Sequence, residues 1–317
     1  MKQKVKRYLM VLALTCAGYA LLGNSQISVF SSLVTFPFRQ MGQGLRALSL
    51  SGAVGNVIAI VLYIALCLSP VVFLLAKKQR RWEDALLPVL SFVMFPVMYL
   101  MVNPQLQASW LGQVYSMAGG ELLCLILWSV IIGYGFMKLL HKCLHTTRLQ
   151  LLEYLKWLVA VYCAVLIFAV FGTGLDSLLT QMEAIRIANS GYARGLGLTF
   201  AFLVIQYLVD ALPNLLLCGV LLDAADLVHS LKGEKYTEEL VLAAERLGLR
   251  CGRVLILVVL SNVIFNLAQL LVIRHLRNVT TIVRMPLGMM LLVVALLAAA
   301  RFIRAHKELK DENESFI

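Results

Sequence analysis

The apolar residues of this chain lie in long blocks of about 16 to 25 residues, separated by short polar segments. A helix of about 20 apolar residues crosses a hydrocarbon core of about 30 Å. Hydrophobic residues make up 61% of the 317 residues and charged residues only 14%, whereas soluble domains are near half apolar and a quarter charged. A soluble fold cannot bury that much apolar surface, so the sequence predicts an integral membrane protein.

The blocks are predicted to form about eight transmembrane helices. Inside a bilayer every backbone amide must be paired within the protein, and blocks of this length without alternating polarity form helices rather than barrel strands. The predicted class is therefore all-α, a polytopic transmembrane helical bundle. The predicted helices cover residues 8–23, 54–76, 85–102, 120–140, 157–173, 196–220, 254–273 and 286–302.

The distribution of basic residues predicts that both ends of the chain are cytoplasmic. With the N-terminus inside, 21 of the 28 Lys and Arg residues fall on the inner side, which is the excess that cytoplasmic loops carry. The last outer loop breaks the rule with three arginines. The net charge of +11 then reflects orientation, and direct binding of nucleic acid is not expected because no soluble basic domain is present.

Two four-helix membrane units are predicted, at 1–150 and 151–317. Their first outer loops share the faint pattern QMGQGLRALSLSG and QMEAIRIANSG, which fits either a duplication or chance similarity. The apolar loop at 24–53 is predicted either to contain an interfacial helix or to dip into the lipid headgroups. The first block follows KQKVKR, so a cleaved signal peptide is the alternative to a retained spanning helix.

The sixth and seventh predicted helices each carry a polar stripe. The side chains recur at helical spacing on otherwise apolar segments, and Asp210 falls near mid-membrane, where a carboxylate is costly unless it is paired or protonated. The stripes either join two helices by hydrogen bonds or form a site for a substrate, an ion or a proton. We expect Asp210 and Asn262 to pack together. The candidate residues are Gln206, Asp210, Asn214, Asn262, Asn266 and Gln269.

A cytoplasmic segment at 229–253 is predicted to form a helix with one apolar face, capped by Thr237. This helix either lies on lipid or docks a soluble partner. The charged tail at 303–317 is a second inner element of this kind. The candidate docking residues are Thr237, Leu240, Ala244, Leu247, Arg246 and Arg250.

No motif of a known catalytic site occurs in the sequence, so an enzyme is not expected. No cofactor is predicted either. His141 and His145 have the spacing of metal ligands, but no further acidic or cysteine ligand is near them in the sequence, and a metal site is not predicted.

The second half, at about 156–317, resembles an uncharacterised bacterial family of four-helix membrane proteins that are often encoded beside a small helix-turn-helix regulator. The resemblance is carried by the inner segment LKGEKYTEELVLAAERLG and by the ending ARFIRAHKELKDENESFI. It implies a four-helix fold, location in a bacterial cell membrane and a regulatory role.

Two functions are predicted. The first is a non-enzymatic membrane regulator or sensor that binds a cytoplasmic protein, such as a regulator or an ATPase, through 229–253 and 303–317. The alternative is a transporter, or the membrane subunit of one, that uses the polar stripe at Asp210. A water-accessible cavity that reaches Asp210 favours transport, whereas a dry, hydrogen-bonded Asp210 favours the first function.

Overall fold

The computed structural model of the protein describes residues 2–22, 29–106, 119–189, 196–230, 238–272 and 287–315. Every regular element in these ranges is helical, which confirms the predicted all-α class. The helices are α1 Lys2–Leu22, α2 Val29–Thr35, α3 Phe38–Ser49, α4 Ala53–Ala76, α5 Leu86–Val102, α6 Gly119–Leu144, α7 Arg148–Phe168, α8 Leu175–Ala188, α9 Leu196–Ser230, α10 Glu238–Val272 and α11 Leu287–Ser315.

Three shorter helical segments complete the described elements. Two are 3₁₀ turns, at Trp82–Ala85 before α5 and at Pro104–Leu106 after it. The third is a π-helical segment, Ala169–Gly174, which joins α7 to α8 without a break. The predicted fifth helix therefore continues well past its predicted end, through the π-helical segment into α8.

Seven helical segments in the described ranges are long and apolar enough to cross a membrane. The seventh is Leu240–Val272 of α10, and α11 contributes a shorter apolar stretch, Met290–Ala299. A multi-pass membrane protein is thus confirmed. The eighth span stays a prediction, because ten apolar residues cover only about 15 Å of a helix.

The chain divides into two compact units. The central unit comprises Phe30–Thr146, and the split unit comprises Met1–Val29 together with Thr147–Ile317. This division differs from the predicted boundary at 150, because the side chain of Leu9 on α1 is buried in the core formed by the helices of the second half. The predicted duplication stays a prediction.

In the central unit, α2 and α3 occupy the segment that was predicted to hold an interfacial helix. Helix α3 is amphipathic and packs its buried face on α4 and α5. The Trp128 indole donates a hydrogen bond to the carbonyl oxygen of Val34 at 2.9 Å, and its ring meets that of Phe38 edge to face. Val34, Phe38 and Leu45 of the segment are therefore covered by protein, whereas Leu33 and Phe36 stay exposed.

Close contact between α3 and α5 depends on Gly42. A Cβ atom at this position would lie 2.9 Å from the Cβ of Met101 and 3.2 Å from its carbonyl carbon. Overpacking of this kind costs about 1 to 3 kcal/mol. Gly42→Ala is therefore expected to destabilise the central unit, although alanine favours a helix over glycine by about 1 kcal/mol.

The matched control is Gly44→Ala on the same helix, where nothing lies within 4 Å of the added Cβ. Thermal unfolding in detergent should show a lower midpoint for Gly42→Ala and an unchanged or higher midpoint for Gly44→Ala. Equal midpoints for the two variants would show that α3 does not pack on α5 as described.

An ion pair fixes the turn between α4 and α5. The Lys77 ammonium lies 2.5 and 2.7 Å from the two carboxylate oxygens of Asp84, a residue that is only 1% exposed. Asp84 also accepts the backbone N–H of Arg81 at 2.8 Å and the hydroxyl of Tyr134 at 3.2 Å. Four hydrogen bonds therefore compensate the burial of this carboxylate, as buried charges require.

Candidate functional site

Helix α9 places the polar stripe of the sequence near the middle of a spanning segment. The helix has 35 residues, and its apolar part runs from Leu196 to Val228. Asp210 lies 14 residues after Leu196, which is about 21 Å along the axis. The carboxylate thus sits near mid-span, as the sequence predicts, where it must meet polar groups or water.

A cavity of about 710 Å³ opens beside this stripe in the split unit. It is lined by residues of the π-helical segment, α8 and α9, and by one residue of α10. Four of the six residues predicted for an intramembrane site border it: Gln206, Asp210, Asn214 and Asn262.

Asp210 and Asn262 border the same cavity, and their direct packing stays a prediction. The side-chain amide of Asn262 donates to the carbonyl oxygen of Val258 on its own helix at 2.9 Å. The other two predicted residues do not line the cavity. Asn266 is half-buried about one turn further along α10, and Gln269 is buried about two turns further along.

Three polar residues that sequence reasoning missed form the opposite wall. Thr173, Ser177 and Gln181 line the cavity from the π-helical segment and α8. The Gln181 amide donates to the hydroxyl oxygen of Ser177 at 3.0 Å. Their spacing of four residues places them on one helix face and could have been read from the sequence. It was missed because the predicted span ended at Thr173.

The π-helical segment shapes one wall of the cavity. A π turn widens the helix, and such turns are frequent at functional sites. The Thr173 hydroxyl donates a hydrogen bond to the carbonyl oxygen of Ala169 at 3.0 Å. The hydroxyl of Tyr207 on α9 donates one to the carbonyl oxygen of Val170 at 3.3 Å. Gly174 permits this approach, because a Cβ there would lie 3.3 Å from the Tyr207 ring.

We expect Tyr207→Phe to loosen this wall. The variant keeps the ring and removes one hydrogen bond, whose net contribution is about 0.5 to 1.5 kcal/mol. Thermal unfolding should therefore show a small loss of stability. Tyr162→Phe on α7, whose ring is exposed to the surroundings of the bundle, serves as control. A midpoint equal to that of the control would show that the bond to Val170 contributes nothing.

Helix α9 is continuous but contains a proline at the level of the cavity. Pro213 lies inside the helix and lines the cavity. Because proline carries no N–H, the carbonyl oxygen of Val209 lacks its helical donor at this turn. Val209 also lines the cavity. The site thus combines side-chain polar groups with two places where backbone pairing departs from a regular α-helix.

The cavity occupies only one end of the split unit. Its lining on α9 runs from Leu203 to Asn214. The next turns of the helix enter a closed core, where Leu217 and Val220 are at most 1% exposed and pack with Cys163 and Val258. The polar space is therefore bounded by a tightly packed apolar layer on the side of the predicted cytoplasmic ends.

The predicted docking face is buried rather than free. Leu240, Ala244 and Leu247 belong to the core of the split unit and are at most 4% exposed. The reason is that the predicted interfacial helix is the first half of α10, a continuous 35-residue helix that packs on α9 and α11.

The two arginines among the candidate docking residues lie on the outside of α10. Arg246 and Arg250 are exposed, and Arg250 pairs with Asp223 of α9. Arg304, in the predicted charged tail, is part of α11 and lies 3.0 Å from Glu245. Thr237 lies outside the described residues. The two predicted inner elements thus bind each other and α9 within this chain.

Comparison of the chain with protein-family models, with curated proteins and with solved structures finds no match.

Proposed function

We propose that this chain is a non-enzymatic membrane transporter, or the membrane subunit of one, whose solute site is the polar cavity around Asp210. The observation that carries the proposal is the cavity of about 710 Å³ that reaches a mid-span carboxylate. Ionisable residues inside a membrane are costly and mark pathways for solutes, ions or protons.

The composition of the cavity supports a site rather than helix–helix contact. Half of its 16 lining residues are polar, and polar groups that only join helices pack against each other without leaving space. Small-molecule sites typically enclose about 300 to 1,000 Å³ with a few convergent polar groups. The volume and lining fall within that description.

The backbone around the cavity also supports transport. Substrate sites of many transporters lie near the midplane, where helices are interrupted by Gly or Pro. Here the π-helical segment and Pro213 border one cavity. Alternating access requires a site that is open toward one side and closed toward the other, and the closed core beyond Leu217 supplies the closed side.

The regulatory role implied by the family resemblance stays a prediction. Its docking surface was the apolar face of the segment at 229–253, and Leu240, Ala244 and Leu247 of that face are buried within the chain. Binding of a cytoplasmic partner would therefore need the exposed charged side of α10, such as Arg246. The transport proposal needs no rearrangement of this helix.

The experiment fills the cavity with a side chain and measures transport. Proteoliposomes on a solid-supported membrane are exposed to concentration jumps of sodium, ammonium, tetramethylammonium, tetraphenylphosphonium, glycine and glucose. Ser177 and Thr180 are both exposed residues of α8, but only Ser177 lines the cavity, so Ser177→Trp places an indole against the cavity and Thr180→Trp does not.

The wild type and Thr180→Trp are expected to give a transport current or uptake with at least one solute, and Ser177→Trp to lose it. Equal responses in all three proteins would contradict the proposed site. The absence of any response to all solutes by the wild type would contradict the transport proposal for this chain acting alone.

A further inference from the structure

We propose that the solute is an organic cation that carries an apolar portion, with its charge at Asp210 and its apolar portion in a groove between α9 and α10. This inference rests on the proposed function, because it assigns a substrate class to the same cavity. Three properties of the described residues carry it: the charge of the lining, the size of the space and the groove that adjoins it.

The charge of the lining favours a cation. Asp210 is a carboxylate, and the other polar side chains that border the cavity are hydroxyls and amides. Within the described lining no lysine, arginine or histidine is present to attract an anion. A mid-membrane carboxylate is stabilised by an opposite charge, so a cationic solute lowers the cost of keeping Asp210 ionised.

The size of the space favours an organic ion over a bare metal ion. A metal site needs several oxygen, nitrogen or sulfur ligands within about 2 to 2.6 Å of one point. In the ranges that the structure covers, no group of three or more His, Cys, Asp or Glu residues is placed to hold a metal ion. A cavity of about 710 Å³ is instead suited to a molecule.

An apolar groove of about 430 Å³ adjoins the cavity. It lies between α9 and α10, and Phe202 and Phe265 line it with ring centroids 6.4 Å apart. Val209 borders both the groove and the cavity, so the two spaces adjoin at this residue. A solute that passes Val209 therefore reaches a carboxylate with one end and aromatic rings with the other.

Aromatic rings strengthen the assignment. The faces of phenylalanine rings attract organic cations as well as apolar groups. A simple hydrophilic cation makes only the Asp210 contact, whereas a cation with an aromatic or alkyl portion also removes apolar surface from water. The combined site therefore discriminates by charge at Asp210 and by apolar character at Phe202 and Phe265.

Binding to nanodisc-embedded protein tests the inference with three probes. Tetraphenylphosphonium and tetraphenylborate have the same shape and opposite charge, and tetramethylammonium is a cation without the apolar portion. Binding is measured by scintillation proximity, with empty nanodiscs subtracted. The variants are Asp210→Asn and Phe265→Ala, and the control is Phe92→Ala on α5 of the central unit, where the ring is exposed.

Tetraphenylphosphonium is expected to bind at least about tenfold more tightly than tetraphenylborate, because only the cation is attracted to the Asp210 carboxylate. It is also expected to bind at least about tenfold more tightly than tetramethylammonium, because its phenyl rings remove apolar surface from water in the groove. Asp210→Asn should remove the preference over tetraphenylborate. Phe265→Ala should weaken the binding of tetraphenylphosphonium several-fold and leave the binding of tetramethylammonium unchanged. Phe92→Ala should change the binding of neither probe.

Two results overturn the inference alone. If tetramethylammonium binds as tightly as tetraphenylphosphonium and its binding depends on Asp210, the solute does not need an apolar portion, and the proposed transport site remains. If tetraphenylborate binds as tightly as tetraphenylphosphonium, the charge assignment is wrong. A third result removes the proposed function as well. In that case none of the three probes binds, and Ser177→Trp transports solutes as well as the wild type does.

Discussion

Lys77→Met is expected to destabilise the central unit by about 3 kcal/mol, because removing one partner of a buried ion pair leaves the other charge uncompensated. The Asp84 side chain is 2% exposed and that of Lys77 is 26% exposed. Without the ammonium, the carboxylate keeps only the backbone N–H of Arg81 and the hydroxyl of Tyr134. These neutral donors cannot replace a charge that lies at 2.5 Å.

Equilibrium unfolding in mixed detergent micelles, followed by tryptophan fluorescence, measures this effect. Among the described tryptophans, Trp82 and Trp128 are in the central unit and Trp157 is in the split unit, so most of these residues report on the central unit. Lys78→Met, which removes an exposed neighbouring charge, is the control.

The double variant Lys77→Met with Asp84→Asn should recover much of the lost stability, because a neutral amide is far less costly to bury than a charge. If Lys77→Met and Lys78→Met have the same free energy of unfolding, the turn between α4 and α5 does not depend on the ion pair.

The second large effect concerns Asp210. Asp210→Asn is expected to leave the fold intact, because asparagine keeps the shape and hydrogen-bonding capacity of the carboxyl group. It is expected to weaken binding of a cationic solute by at least about tenfold, since two opposite charges about 4 Å apart attract each other by about 1 to 4 kcal/mol, depending on how much water is excluded. Asp210→Leu should lose binding and also alter packing beside α10, where Asn262 lines the same cavity.

Affinity is read from the binding assay with tetraphenylphosphonium, and folding from the thermal midpoint. The control is Glu153→Gln on α7, which removes a partly exposed carboxylate outside the cavity. If Asp210→Asn changes neither binding nor stability, the carboxylate only joins helices, and the transport proposal loses its main support.

The sequence predicted the α9 part of the site because its signal is strong. Polar residues every four positions on an otherwise apolar spanning helix define one face, and the structure places Gln206, Asp210 and Asn214 of that face on a cavity. The α8 wall was missed for a physical reason. A span was expected to end after about 20 apolar residues, whereas the helix continues through the π-helical segment to Ser177 and Gln181.

Packing partners were harder to predict than spans. In a membrane protein, a lipid-facing surface and a buried surface are both apolar, so composition does not show which helices meet. Leu9 of α1 packs in the split unit although it lies far away in sequence. For the same reason, the apolar face of 229–253 fitted lipid, a partner or the chain itself, and the structure shows the last.

The ion pair in the central unit illustrates a third limit. Lys77 and Asp84 are separated by a polar turn that resembles any basic cytoplasmic loop, and the Tyr134 hydroxyl comes from a helix 50 residues later. Counting the Lys and Arg residues of such a loop shows only how the chain is oriented in the membrane. Only the folded geometry shows that Asp84 is buried and therefore carries a structural role.

Water access along α9 tests the central claim most directly. Single cysteines are introduced at Gln206 and Asn214, which line the cavity, and at Leu208 and Leu215, which lie at similar depths on the exposed apolar side of the helix. Cys143→Ser is the background, because the other six native cysteines are buried. The nanodisc-embedded proteins are treated with a charged methanethiosulfonate reagent that enters water and not hydrocarbon.

A water-filled cavity predicts rapid modification of Gln206→Cys and Asn214→Cys, protection of both by tetraphenylphosphonium, and no modification of Leu208→Cys and Leu215→Cys. Equal and negligible modification at all four positions would show that the surroundings of Asp210 are dry, and would contradict a solute site in this chain.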